Sequence, residues 1–193
     1  MQRKIQIVYS LGFLAEEIFL DILAKESNSY FIDLKKTVKE EIRSNTDLGK
    51  EIKKCFDSGE LLKDSLINAL IFREIEKYEC DIILTNYPRS IKQFEIFSDS
   101  AKSINLKIFR FWKLTSKNIE KIAENKIEKL GEVHCSKVDI TLDSMKKEIE
   151  VRLINLNNSS LDLIKTKNIK VCEIDVDFEQ DLTTLFREKI YSA

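Results

Sequence analysis

The stretch Asp81-Ile82-Ile83-Leu84-Thr85-Asn86-Tyr87-Pro88-Arg89-Ser90-Ile91-Lys92-Gln93 decides the fold. Its first five residues form a continuous apolar run of the kind buried on both faces of a parallel sheet. Asn86-Tyr87-Pro88 then breaks the strand, and a helix is predicted over about 90–102. Working outward, the same alternation recurs. Lys4 to Tyr9 reads as a strand rich in β-branched residues, followed by a helix from Leu14 to Ala24 and a short strand at Ser29–Ile32. Helices are predicted at about 35–44, 46–56 and 63–78, with Asp57-Ser58-Gly59 as the turn between the last two. Downstream come a strand at Leu106–Phe111, a helix over about 116–130 capped by Gly131, and a helix over about 141–165 broken at Asn157–Ser160. A fifth strand at Ile169–Ile174 and a helix from Leu182 to Ile190 follow. Such alternation implies an α/β fold with a parallel sheet and right-handed crossovers. Ligands in such sheets sit beyond the strand C-termini at the switch point, so the residues after Tyr9, Thr85 and Phe111 are the ones to question.

Composition bounds the rest. The chain has 193 residues, 43% of them apolar and 34% charged, with four glycines and one proline; that excludes disordered, collagen-like and linker-like classes. Thirty-two Lys and Arg against 33 Asp and Glu leave a net charge of −1 and no sequence-wide basic field to hold nucleic acid. The apolar run Ile7–Leu23 is interrupted by Glu16, Glu17 and Asp21, so neither a signal peptide nor a membrane span is expected and the chain reads as cytoplasmic. Cys55, Cys80, Cys135 and Cys172 are scattered and read as reduced thiols. His134-Cys135 is the one close pair of soft ligands, and a single histidine makes a poor zinc site. Basic residues are mostly lysine, with arginine at only seven positions (3, 43, 73, 89, 110, 152 and 187), so each arginine invites a reason.

Leu84 to Gln93 resembles the strand-end signature Leu-Asp-Gly-Phe-Pro-Arg-Thr-x-x-Gln of the adenylate kinase branch of the nucleoside monophosphate kinases. Upstream, Asp47-Leu48-Gly49-Lys50 is similar to that family's Glu-Leu-Gly-Lys, and Gly59 to Ile67 to its Gly-x-Leu-Val-x-Asp-x-Leu-Val, at matching separations. The resemblance implies a P-loop nucleotide-kinase fold: a five-stranded parallel sheet wrapped by helices in one domain over 1–193. Its core would comprise 1–33, 80–120 and 141–193, with a monophosphate flap over about 34–79 and a reduced lid over about 131–139. It also implies an AMP site. Arg89 matches the arginine that grips the phosphate, a task suited to a planar guanidinium, and Gln93 matches the glutamine that reads the adenine edge. Lys39 replaces the flap arginine and Leu34 the flap threonine, while Leu62 and Ile67 fall where the family lines the base.

The ATP half departs from the family. A P-loop needs G-x-x-x-x-G-K-[ST], with glycine backbone curling around phosphates, lysine on the β and γ oxygens and a hydroxyl on Mg²⁺. The matching stretch here runs from Tyr9 to Glu17 and keeps one motif glycine, Gly12. Ala15 stands in the lysine position and Glu17 in the hydroxyl position, with Glu16 between them. Two like unit charges about 4 Å apart repel by roughly 4 kcal/mol at an effective dielectric near 20, which lowers triphosphate affinity roughly a thousandfold. Thr85 replaces the metal-ordering acid. Lys121 and Asn125 replace the lid-hinge arginines, Lys137-Val138-Asp139 stands in the post-lid motif, and only Arg152 is available as a later catalytic arginine. Leu11, Phe13 and Leu14 put bulky apolar groups over the strand ends, either plugging an empty nucleotide pocket or forming a partner patch. The expectation is therefore an adenylate-kinase-like pseudoenzyme without catalytic residues, metal or cofactor, retaining part of an AMP site and acting as a binding or structural component of an assembly with a protein partner. The alternative is a divergent active kinase, ATP + AMP to 2 ADP, with Mg-ATP as its second ligand.

Overall fold

The computed structural model describes residues 2–11, 14–133, 141–167 and 169–193. Five parallel strands form one sheet: β1 (Arg3–Tyr9), β2 (Ser29–Ile32), β3 (Asp81–Thr85), β4 (Leu106–Thr115) and β5 (Lys170–Asp175), in the spatial order β2-β3-β1-β4-β5. The described helices are α1 (Glu16–Ser27), α2 (Leu34–Arg43), α3 (Asp47–Asp57), α4 (Asp64–Ile75), α5 (Ile91–Ser103), α6 (Ile119–Val133), α7 (Leu142–Lys167) and α8 (Leu182–Tyr191). None is long and apolar enough to cross a membrane.

The side-chain period of the strands divides the interior into two cores. On one face, Ile5, Ile7 and Tyr9 of β1 join Ile82 and Leu84 of β3 and pack against Ile71, Phe94 and Phe97 of α4 and α5. On the other, Val8 and Trp112 pack with Phe19 and Leu23 of α1, Ile122 of α6, Ile149 of α7 and Phe186 of α8. Gln6 is buried on that second face, where its side-chain oxygen accepts a 2.9 Å hydrogen bond from the Trp112 indole.

Helix starts follow local chemistry. Asp33, Thr46, Ser90 and Asp181 cap α2, α3, α5 and α8 through side-chain oxygens that accept backbone N–H bonds. Two glycines have geometric reasons. Gly59 turns the chain after α3 at φ +69°, and Gly49 lets α3 cross the end of α2, where a Cβ would lie 2.2 Å from the Glu41 carbonyl oxygen. Glu41 is itself buried, pairs with Arg73 of α4 at 2.5 Å and accepts a bond from the Thr46 hydroxyl. That ion pair joins α2 and α4 within the segment between β2 and β3.

Several elements differ from the sequence reading. Strand β4 runs on to Thr115 because Trp112 to Thr115 pair with Cys172 to Asp175 of β5. The switch-point residues on this side therefore follow Thr115, not Phe111. Helix α1 starts at Glu16, after Leu14 and Ala15. Helix α6 continues through Gly131 to Val133, so that glycine is internal and not a cap, at an intrinsic cost near 1 kcal/mol that a helix can absorb. Helix α7 passes through Asn157–Ser160 unbroken, since the Asn and Ser penalties are only tenths of a kcal/mol each.

Candidate site at the C-terminal ends of β1 and β3

The ends of β1 and β3 are tied together by Asn86. Its backbone N–H donates to the Val8 carbonyl at 2.8 Å, and its side-chain oxygen accepts from the Ser10 N–H at 3.1 Å. Asn86 adopts φ +52°, a left-handed conformation that asparagine tolerates better than most residues and that explains why it can stand in the signature's glycine position. The sequence reading did not single out Asn86; the available signal was an Asn aligned with a motif glycine.

Arg89 extends from this turn into solvent. Its Nε donates to the Asn86 carbonyl at 2.8 Å, and among the described residues no carboxylate lies within ion-pair distance of its guanidinium. Gln93 sits one helical turn further on, half-buried at the start of α5, with Ser90 capping its backbone N–H at 3.2 Å. Its side-chain oxygen accepts from the Arg89 backbone N–H at 2.7 Å, and its side-chain nitrogen donates to Asp64 at 2.8 Å. Asp64 opens α4, so this bond brings the Leu62–Ile67 segment against the Arg89–Gln93 turn. Leu62 is half-buried, and Ile67 packs on the β1–β3 core. Of the five residues expected to line a monophosphate site, Arg89 and Gln93 are bonded to each other, and Gln93 is bonded to Asp64 in the 62–67 segment that carries Leu62 and Ile67. Lys39 is the exception: it is exposed on α2 and makes no hydrogen bond or ion pair among the described residues. Leu34 faces inward and packs against the same core.

Two buried phenols underlie the turn. Tyr9 donates its hydroxyl to the Pro88 carbonyl; burial raises its pKa above the ordinary tyrosine range, with the Arg89 charge pulling the other way. The Tyr87 hydroxyl, in a residue only 3% exposed, has no hydrogen-bond partner among the described residues. Burial, with the Asp64 charge adding to it, pushes its pKa up to about 12.

At the start of α1 the chemistry is reversed. Ala15 occupies the cap position with φ +53° and offers no side-chain cap, and Glu16 and Glu17 make the first turn. Carboxylates there favour the helix dipole but supply no donor for a phosphate. Glu16 is half-buried and its pKa is raised, chiefly by burial; the Ser10 hydroxyl and Lys35 lower it, while Glu17 and Asp33 raise it. Leu14 is fully buried among the α1-side core residues, with Leu11 partly buried against them. Leu14 therefore fills the space over the strand end and is not part of an exposed patch. Gly12 and Phe13 lie outside the described residues.

Cations further along the chain are consumed in ion pairs. Lys126, buried on α6, meets Glu148 of α7 at 2.8 Å, and Arg152 meets the same carboxylate at 2.5 Å. Lys126, first through its hydrogen bond, holds the Glu148 carboxyl below its usual range. Lys121 pairs with Glu124 at 3.2 Å, and Lys113, buried in β4, with Glu173 at 3.2 Å. Thr85 is half-buried at the end of β3. Within the expected lid, 131–133 belong to α6, whereas 134–139, including His134, Cys135 and Lys137-Val138-Asp139, lie outside the described residues. Two surface grooves occur elsewhere: one of about 530 Å³ beside Lys117, Glu120 and Lys146, and one of about 400 Å³ beside Tyr30, Lys36 and Tyr78. Neither is lined by Arg89, Gln93, Leu62 or Ile67.

Comparison with known proteins agrees with this architecture. No protein-family model matches the chain. It is 25% identical over 156 residues to an adenylate kinase of Pelagibacter ubique, covering 77% of this chain and 69% of that protein. Over shorter stretches it is 37% identical to an adenylate kinase of Thermotoga petrophila (65 residues, 33% of this chain) and 32% identical to one of Prochlorococcus marinus (84 residues, 43% of this chain). These matches span 30% and 46% of the lengths of those two relatives.

Proposed function

We propose that this chain, which is adenylate kinase-like, binds a nucleoside monophosphate, AMP, at the β3–α5 turn and has lost phosphoryl transfer. The contrast between the two strand ends carries the reading. At the end of β3, Arg89 presents a guanidinium oriented by a backbone carbonyl and unpaired with any carboxylate among the described residues. At the end of β1, the residues in the phosphate-cradle positions are Ala15, Glu16 and Glu17. Phosphoryl transfer depends on cations that position and neutralise the transferring group. Here Lys126 and Arg152 share Glu148, and Lys121 is held by Glu124.

In this reading Arg89 holds the phosphate bidentately, Gln93 reads the base edge, Leu62 and Ile67 line the base, and Lys39 adds a charge from the flap, 34–79, which packs around the core of a single domain. Calorimetric titration tests it. AMP should bind the unmodified chain, Arg89→Ala should weaken binding by about 10- to 150-fold through loss of a charge-assisted contact, and Mg-ATP should give no heat. Binding of Mg-ATP, or AMP affinity unchanged in Arg89→Ala, would refute the reading.

A further inference from the structure

The two edges of the sheet differ in chemistry. Strand β5 carries Lys170, Glu173 and Asp175 along its length, and the last two pair with Lys113 and Lys117 at 3.2 and 3.5 Å. Charges of that kind keep an edge from pairing with another chain. Strand β2 is the opposite edge, and Ser29-Tyr30-Phe31-Ile32 contains none. Among the described residues its ladder partner is β3 alone, and no other group bonds to the main chain of Tyr30, Phe31 or Ile32. The outer row of N–H and C=O groups on β2 is therefore left to solvent. A groove of about 400 Å³ runs beside these three residues, walled by α2 and by the end of α4 with the turn after it. In it the Tyr30 and Tyr78 rings stack at a centroid separation of 3.6 Å, with Tyr30 exposed. Three carboxylates line the groove, Asp33, Glu40 and Glu74, against two ammoniums, Lys36 and Lys77. Lys36 pairs with Glu40 at 3.9 Å and Lys77 with Glu74 at 2.5 Å, whereas Asp33 caps α2 through backbone N–H groups and meets no cation among the described residues. One negative charge is thus left over beside an exposed aromatic ring, a setting that favours a cationic side chain.

We propose that the β2 edge is a docking site for an extended peptide segment of another protein, which adds as a further strand and lays an arginine or lysine over the exposed ring of Tyr30. Main-chain bonds to the outer row of β2 supply attraction that is independent of sequence, and the groove supplies the preference for one basic side chain. The strand is already extended, so docking needs no rearrangement of the sheet. None of Arg89, Gln93, Leu62 and Ile67 lines this groove, so the proposal stands or falls independently of the monophosphate site. Because β2 has only four residues, it offers few backbone bonds, and the Kd should be roughly 10–100 μM.

Fluorescence anisotropy on the full chain tests this with a short labelled peptide that alternates valine and threonine around one central arginine, and with the same peptide carrying a central glutamate. The arginine peptide should saturate, and the glutamate peptide should bind about tenfold or more weakly. Tyr30→Lys removes the ring and sets a cation where the peptide's arginine docks, so it should weaken the arginine peptide by about tenfold or more. Circular dichroism shows whether that variant folds. Amide hydrogen exchange gives a readout that does not depend on the variant: the arginine peptide should slow exchange in the segment 29–32 of the unmodified chain. No saturation by about 1 mM peptide, equal binding of the two peptides, or slowed exchange confined to other segments overturns the proposal. Slowed exchange at 29–32 that grows with protein concentration in the absence of peptide also overturns it, by making a second copy of the chain the occupant.

Discussion

Replacing Tyr87 by Phe should stabilise the fold. The Tyr87 hydroxyl is buried and has no hydrogen-bond partner among the described residues, in a residue 3% exposed. Desolvating a hydroxyl without a compensating bond costs about 1–3 kcal/mol. Its ring packs edge-on against Phe97 at a centroid separation of 5.7 Å, a contact that phenylalanine keeps. Removing the oxygen therefore leaves packing intact apart from a small void, for a net gain of about 1–2 kcal/mol. In a chain of this length that raises Tm by roughly 2–4 °C per kcal/mol. The pH profile follows from the phenol's pKa of about 12. Between pH 6 and 9 the group is neutral in both states, so the gain should be flat. Above the ordinary tyrosine range, near 10, the unfolded phenol ionises first and the unmodified fold loses stability, so the advantage of Tyr87→Phe should widen there. Tyr9→Phe is the internal control. Its hydroxyl donates to the Pro88 carbonyl, so the same deletion should cost about 1–2 kcal/mol. Thermal unfolding followed by circular dichroism reads both. Destabilisation by Tyr87→Phe would refute the reasoning, by requiring a partner for that hydroxyl such as a trapped water.

Leu14→Ala should cost about 2–5 kcal/mol, because a fully buried side chain leaves a cavity over the end of β1; a change under 1 kcal/mol in urea unfolding would show that Leu14 does not fill that space. Gly49→Ala should lose about 1–3 kcal/mol, since its methyl group would meet the Glu41 carbonyl at 2.2 Å, and an unaltered denaturation midpoint would contradict the close α2–α3 crossing. Glu16 has a raised pKa in the folded state, so its contribution to stability is complete below the usual carboxylate range and is lost as pH rises through the shifted value. Glu16→Gln should therefore unfold less readily than the unmodified chain at neutral pH and lack that decline, which paired pH titrations of Tm would register.

The sheet was legible because its strands are written as uninterrupted apolar runs between breakers. Ser29–Ile32 and Asp81–Thr85 coincide with their observed bounds, and the Gln93–Asp64 bond ties the turn that carries Arg89 and Gln93 to the start of α4. What escaped the sequence depends on partners distant along the chain. Strand β4 reaches Thr115 only because β5 lies beside it, and a lysine at 113 is a weak strand signal until Glu173 is seen across from it. Local rules also overstated two stops: Gly131 and Asn157–Ser160 carry penalties too small to end α6 or α7. The role of Asn86 in joining β1 to β3 was hidden because asparagine signals only a turn, and its two strand-bridging bonds depend on the sheet order.

The central claim, a monophosphate site without phosphoryl transfer, is tested most directly by an ADP-formation assay with AMP and Mg-ATP on a sample whose AMP binding is measured in parallel. The account predicts AMP binding that Arg89→Ala weakens by about 10- to 150-fold and no ADP above background in either sample. ADP formation that Arg89→Ala eliminates would contradict it and establish a working kinase with alanine in the P-loop lysine position.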